Sequence, residues 1–141
     1  FGDYYLFNVT KLPRLEFRRS VVWGNLARGV LAKTRGVRIE DNIFRGCTGT
    51  AIHVGAESSW KEGTHAADVT IARNVMTDCG LGAGCQYGAS GIAVVIGAPD
   101  TDGNACGISI RNARNVEVRG NRIEGCDEAV QMRSCENVTV E

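Results

Sequence analysis

Short runs in which apolar and polar residues alternate recur along this chain, each leading into an asparagine or serine. The runs are Val37-Arg38-Ile39-Glu40-Asp41-Asn42, Val69-Thr70-Ile71-Ala72-Arg73-Asn74 and Val116-Glu117-Val118-Arg119-Gly120-Asn121, with Leu15-Glu16-Phe17-Arg18 ahead of Ser20 as an earlier copy. Their apolar positions follow a period of two and are mostly β-branched, so each run predicts a strand with one inward face that enters a turn. A second apolar pair follows at an interval: Val30 and Ala32, Ile52 and Val54, Val130 and Met132. Val138 and Val140 open a fifth copy.

Phe17 and Ile39 lie 22 residues apart, as do Val118 and Val140, and this interval matches one turn of a parallel β-helix. The predicted fold is all-β: a right-handed parallel β-helix, or solenoid, of about five coils of roughly 22 residues with loop insertions. It forms one domain over residues 1–141. In that register the outward positions read Glu16, Arg38, Thr70, Glu117, Thr139 and Arg18, Glu40, Ala72, Arg119, Glu141. Opposite charges then stack as Glu16 on Arg38, Arg18 on Glu40 and Arg119 on Glu141, contributing roughly 0.2 to 1 kcal/mol each. A slip of one residue would turn the core face to solvent.

Three cysteines share one offset, Cys47, Cys79 and Cys126, each five residues after an asparagine. Asn42, Asn74 and Asn121 are expected to bond to one another and to main chain up the stack. The cysteines are expected as a ladder of buried free thiols, because parallel side chains one strand apart do not converge as a disulfide requires. Cys85 and Cys106 bracket a long excursion and are candidates to pair; Cys135 has no evident partner. The closely spaced Cys/His pairs of a zinc site do not occur.

Sixteen basic and sixteen acidic residues cancel and are scattered, which argues against a nucleic-acid surface. No apolar run reaches the roughly 18 residues of a membrane span. The opening Phe1-Gly2-Asp3-Tyr4-Tyr5 lacks a methionine and reads as the middle of a longer β-helix, whose N-terminal coils would be this chain's partner.

Function is expected where the chain departs from the repeat. Three stretches do so, 55–67, 80–90 and 97–106, and they are expected to leave the solenoid at matching corners and build one wall of a groove. The first carries Glu57, Trp60, Glu62 and His65, a set suited to a sugar whose apolar face stacks on indole while its hydroxyls bond to acids. The second adds Tyr87. The third, Asp100-Thr101-Asp102-Gly103-Asn104, looks like the opening of a calcium loop, yet Arg111 stands where such a loop needs a bidentate glutamate. Asp100, Asp102 and Asn104 are the only metal candidates, and no metal or cofactor is assigned. His53, between inward-facing Ile52 and Val54, is expected on the outer face, where it touches a ligand or stands in solvent.

The stretch Asn25-Leu26-Ala27-Arg28-Gly29-Val30-Leu31-Ala32-Lys33-Thr34-Arg35-Gly36 resembles the N-x-A-R-G-x-L-x-x-T-R-G segment of glycoside hydrolase family 110. The similarity runs on through Ala51-Ile52-His53-Val54-Gly55, Ser59-Trp60-Lys61-Glu62-Gly63 and Asp68-Val69-Thr70-Ile71-Ala72-Arg73-Asn74, covering residues 2–79. Family members usually place an acid directly after the glycine matching Gly55, where this chain has Ala56. The aspartate pair associated with catalysis in that family lies upstream of the matching region.

The resemblance implies part of a secreted, periplasmic or surface-exposed carbohydrate-active enzyme. It would resemble α-1,3-galactosidases that release terminal galactose from a galactose-containing glycan. An inverting mechanism would need two carboxyl groups about 6.5 to 9.5 Å apart. Arg28 and Arg35, with their forks of donors, join Trp60, His53, His65 and Tyr87 as substrate-binding candidates. Glu57 and Glu62 are the catalytic candidates within this chain. The alternative is a non-catalytic β-helix module, either glycan-binding or structural, since the fold serves both.

Overall fold

The computed structural model describes residues 8–56, 63–80, 106–126 and 128–141. These form thirteen strands in three parallel sheets. Sheet A stacks β1 (Leu15–Arg18), β4 (Arg35–Glu40), β7 (Ala66–Ala72), β10 (Ala113–Arg119) and β13 (Glu136–Val140) in that order. Sheet B stacks β2 (Val21–Trp23), β5 (Ile43–Arg45), β8 (Val75–Thr77) and β11 (Arg122–Glu124). Sheet C stacks β3 (Val30–Ala32), β6 (Ile52–Val54), β9 (Cys106–Arg111) and β12 (Glu128–Arg133). The chain visits A, B and C in turn, giving a right-handed parallel β-helix of four coils with the first strand of a fifth.

The register is the one that the alternation requires. Leu15 pairs with Val37, Val37 with Val69, Val69 with Val116 and Val116 with Val138. Inward residues of the three sheets meet in one core in which Val37, Ile39, Phe44, Ile52, Val54, Ile71, Met76, Ile108 and Ile110 are fully buried. Burial of each such side chain contributes about 1.5 to 3 kcal/mol. Sheet B supplies one inward residue per coil, Val22, Phe44, Met76 and Ile123, and Phe17 and Phe44 lie ring to ring at 6.2 Å.

Left-handed backbone at equivalent positions turns the corners. Arg19, Asp41, Arg73 and Gly120 all have φ between 49° and 59° where sheet A gives way to sheet B. For a residue with a β-carbon this conformation costs about 1 to 2 kcal/mol. The stack offsets part of that cost: Arg73 donates to both oxygens of Asp41 at 2.7 and 2.9 Å, and these bonds hold the Asp41 carboxyl below its ordinary pKa.

Just after this corner runs the asparagine ladder. Asn42 Nδ2 donates to Asn74 Oδ1 at 2.9 Å and Asn74 Nδ2 to Asn121 Oδ1 at 3.0 Å. The same amides donate to the carbonyls of Phe17, Ile39 and Ile71, each at 2.9 Å. At the base, the backbone N–H of Ser20 donates to Asn42 Oδ1 at 3.1 Å. Cys47 and Cys79 are buried free thiols. The Cys79 thiol is pushed above its ordinary pKa, first by its bond with Cys47 and then by burial.

Of the three expected charge stacks, Arg18 and Glu40 form the ion pair, at 3.1 Å. Arg119 bonds instead to Glu117 on its own strand at 2.9 Å, and Glu16 lies 3.8 Å from Arg18. Outward residues two apart on one strand are close enough to compete with the neighbouring coil.

The insertions also differ from expectation. Asn42 and Asn74 are 32 residues apart and Asn74 and Asn121 are 47 apart, so both middle coils carry surplus chain. In the second coil the surplus falls between β6 and β7; in the third it falls between β8 and β9. These are two different corners, at opposite ends of the sheet C strands. The insertions therefore leave the coils at different corners rather than at matching ones. Glu57, Trp60, Glu62, Tyr87, Asp100, Asp102, Asn104 and the pairing of Cys85 with Cys106 lie outside the described residues.

Candidate functional site

The outward face of sheet A is an open groove of about 920 Å³. Its floor is the column Glu16, Arg38, Thr70, Glu117 and Thr139, which strand pairing sets side by side. Along one margin runs a second column, Gly36, Asp68, Asn115 and Asn137, all with φ between 52° and 64°. Asn137 Nδ2 donates to Asn115 Oδ1 at 3.0 Å, and Asn115 Nδ2 to Asp68 Oδ1 at 2.9 Å. This second ladder fixes the Asp68 carboxylate on the rim. A polar residue directly before each of Val69, Val116 and Val138 is the sequence signal for it.

Arg35 lines the same groove, and Arg35 Nη2 lies 2.8 Å from His65 Nε2. A guanidinium only donates, so His65 Nε2 accepts and the proton of the neutral ring sits on Nδ1. Two residues 30 apart in sequence are thus joined because β4 pairs with β7. His65 immediately precedes β7, so it stands where the first insertion rejoins sheet A.

Asp68 and Glu117 stand on neighbouring strands, two positions apart, with α-carbons about 8 Å from each other by strand spacing and rise. Glu117 is held by Arg119. The groove therefore presents donors and acceptors at intervals of about 4.8 Å on rigid strands, a pattern that suits a ligand with many hydroxyls.

Arg28 and His53 belong to another face. His53 does point away from the core on β6, paired with Leu31 on one side and Ser109 on the other, yet it is 0 % exposed. The expectation of a solvated ring is corrected: alternation decides which side of a strand a residue faces, not whether that side is open. Burial first, and then the charges of Arg28, Arg111 and Lys33, lower the His53 pKa to about 3. Ser109 and Arg111 are buried on the same face; the sequence pattern singled out neither for this position, Arg111 having entered only as the residue that breaks the calcium-loop pattern.

Three parallel sheets, a continuous core and inward ladders define a parallel β-helix protein. Residues 5–141 match the family described as right handed beta helix region, and the chain belongs to it. No curated protein and no solved structure matches the chain.

Proposed function

We propose that this β-helix binds a glycan along the outer face of sheet A as part of a carbohydrate-active protein. The observation that carries this reading is the polar groove itself, with charged, amide and hydroxyl side chains in registered columns across all five strands. The resemblance of the Asn25 to Gly36 segment to family 110 makes terminal α-linked galactose the sugar to test first. On this reading the protein acts outside the cytoplasm, secreted, periplasmic or on the cell surface. Arg35 and His65 act as a donor pair at the margin, and Trp60, Glu57 and Glu62 belong to the insertion rooted beside them.

If the protein hydrolyses its glycan with acids of this chain, Asp68 and Glu117 are the two carboxylates that line the groove on neighbouring strands and the pair to test. A binding module is the second reading, favoured by the bonds that occupy these acids: Glu117 with Arg119, Asp68 with Asn115.

Titration calorimetry with α-galactosyl oligosaccharides tests the groove. Arg35→Ala and Asp68→Asn should each weaken binding about tenfold, the worth of a charged hydrogen bond, while Arg45→Ala on sheet B should not. Absence of binding across the set, or equal affinity in all variants, would reject the groove as the site. Galactose release that disappears in Asp68→Asn or Glu117→Gln supports the hydrolase; binding without release supports the module.

A further inference from the structure

The groove on sheet A is not uniform along its length. At the end formed by β1 and β4 it is lined by Arg14, Arg35 and Arg38. From β7 onward it is lined by Thr70, Asn115, Asn137 and Thr139, with the acids Asp68 and Glu117 bonded to Asn115 and Arg119. None of the three arginines forms an ion pair among the described residues. Arg35 gives Nη2 to the neutral ring of His65. Glu16, the register partner of Arg38, lies instead 3.8 Å from Arg18.

The backbone assembles this cluster. Asp68, Asn115 and Asn137 fill the rim column on the later coils, but on β4 that place is Gly36, with φ +64°. The missing side chain leaves room for Arg14: a β-carbon on Gly36 would lie 3.2 Å from Arg14 Cγ and 3.7 Å from Arg14 Nε. Thr34 Oγ1 donates to Pro13 O, which ties the segment carrying Arg14 to the start of β4. The left-handed glycine also interrupts strand alternation, so Arg35 and Arg38, three apart, both line the groove. Three guanidiniums on one stretch of groove without counter-charge repel one another, and an anion among them relieves that repulsion. Their forks match the paired oxygens of a carboxylate or sulfate.

We propose, on the reading of the groove as a glycan site, that the glycan it takes is anionic. A sugar bearing a carboxylate or a sulfate ester places that group among Arg14, Arg35 and Arg38, and its neutral hydroxyls run toward β13.

Titration calorimetry of the whole chain compares three ligands. They are a neutral α-galactosyl oligosaccharide, the same oligosaccharide with its terminal galactose oxidised at C6 to the uronic acid, and the same oligosaccharide sulfated on the C6 oxygen. At least one anionic form should bind about tenfold or more tighter than the neutral one. That preference should shrink as salt is raised toward about 1 M, where the Debye length is about 3 Å. Preference for the uronic acid marks the ligand group as a carboxylate, and preference for the sulfated form marks a sulfate ester. Arg14→Gln and Arg38→Gln, both at exposed positions, should each lower the ratio of anionic to neutral affinity by about threefold or more. Arg45→Gln removes the same charge from sheet B and should leave the ratio unchanged. Neutral sugar bound as tightly as both anionic forms would overturn the proposal and leave the groove reading in place. So would a ratio that falls as far in Arg45→Gln as in the groove variants, since net charge rather than the cluster would then set it. Absence of binding by all three ligands would reject the groove reading, and the proposal with it.

Discussion

Asn74→Ala should be among the most destabilising single changes in this protein. Asn74 Oδ1 accepts from both the backbone N–H and the Nδ2 of Asn42, at 3.1 and 2.9 Å, and Asn74 Nδ2 donates to Ile39 O and Asn121 Oδ1. Alanine leaves two donors of Asn42 unmatched in a place where Asn42 is 1 % and Asn74 0 % exposed, so water does not replace the lost acceptor. At about 1 to 3 kcal/mol for each orphan, the loss is about 2 to 6 kcal/mol, a large share of the 5 to 15 kcal/mol typical of a domain. Asn121→Ala is the matched comparison. It removes the same kinds of bond, but Asn121 is half-buried, and water near the end of the ladder should limit its cost to roughly half as much. Urea unfolding followed by circular dichroism measures both, with comparison restricted to variants of unchanged slope m. Equal midpoints for the two variants, or a cost below about 1 kcal/mol for Asn74→Ala, would refute the view that buried amide satisfaction holds the coils in register.

Three further outcomes follow from buried groups. The unfolded chain protonates His53 near pH 6.5 and the folded chain only near pH 3, so stability is full above pH 6.5 and falls by about 1.4 kcal/mol per unit down to pH 3. At pH 4.5 the deficit from this ring is about 2.7 kcal/mol, and His53→Gln should flatten the acid limb of a stability profile between those limits; an unchanged slope would mean that the folded chain protonates His53 near the ordinary value. Cys47 and Cys79 should resist iodoacetamide in the native chain while half-buried Cys135 reacts, because the thiolate is the nucleophile and neither buried sulfur meets solvent; peptide mass mapping that finds Cys79 labelled as fast as Cys135 would show an open ladder. Gly55 has φ +135°, and a β-carbon there would fall on the Arg111 carbonyl, so Gly55→Ala should cost about 1 to 3 kcal/mol from backbone strain alone, read as a lowered thermal midpoint against an Ala56→Gly control.

Sheet A was legible because four and more alternating residues per strand specify a face, and outward charges at matching offsets specify a register. Sheet B was not read as strands, since Ile43-Phe44-Arg45 and its counterparts have three residues and one inward position, too few for alternation to show. Their signal is a bulky residue two places after each turn, as in Phe44 after Asn42 and Met76 after Asn74. Ile108 and Ile110 were hidden for a different reason: the surplus chain of the third coil precedes them, so the fixed interval that marks the other copies fails there. The Arg35 to His65 contact depends on strand pairing across an insertion, and the burial of His53 depends on what surrounds the outer face. Both are tertiary facts that no local pattern encodes.

In a solenoid, a buried polar side chain is ordinarily satisfied by its counterpart on the next coil, which is why Asn42, Asn74 and Asn121 repeat. A column that changes identity at every coil has no such reason to be polar inside. Leu31, His53, Ser109 and Gln131 form such a column, and its two middle members are the fully buried ones. On sheet A the varied column Glu16, Arg38, Thr70, Glu117 and Thr139 faces an open groove, where solvent hydrates it without a partner. The physical demand differs between the two faces: variation in an open column is free, whereas variation in a closed one leaves His53 and Ser109 without bonded partners. Repetition in this chain therefore marks the residues that hold the coils together. The loss of repetition under continued burial, seen at His53 and Ser109, marks the place where that rule fails.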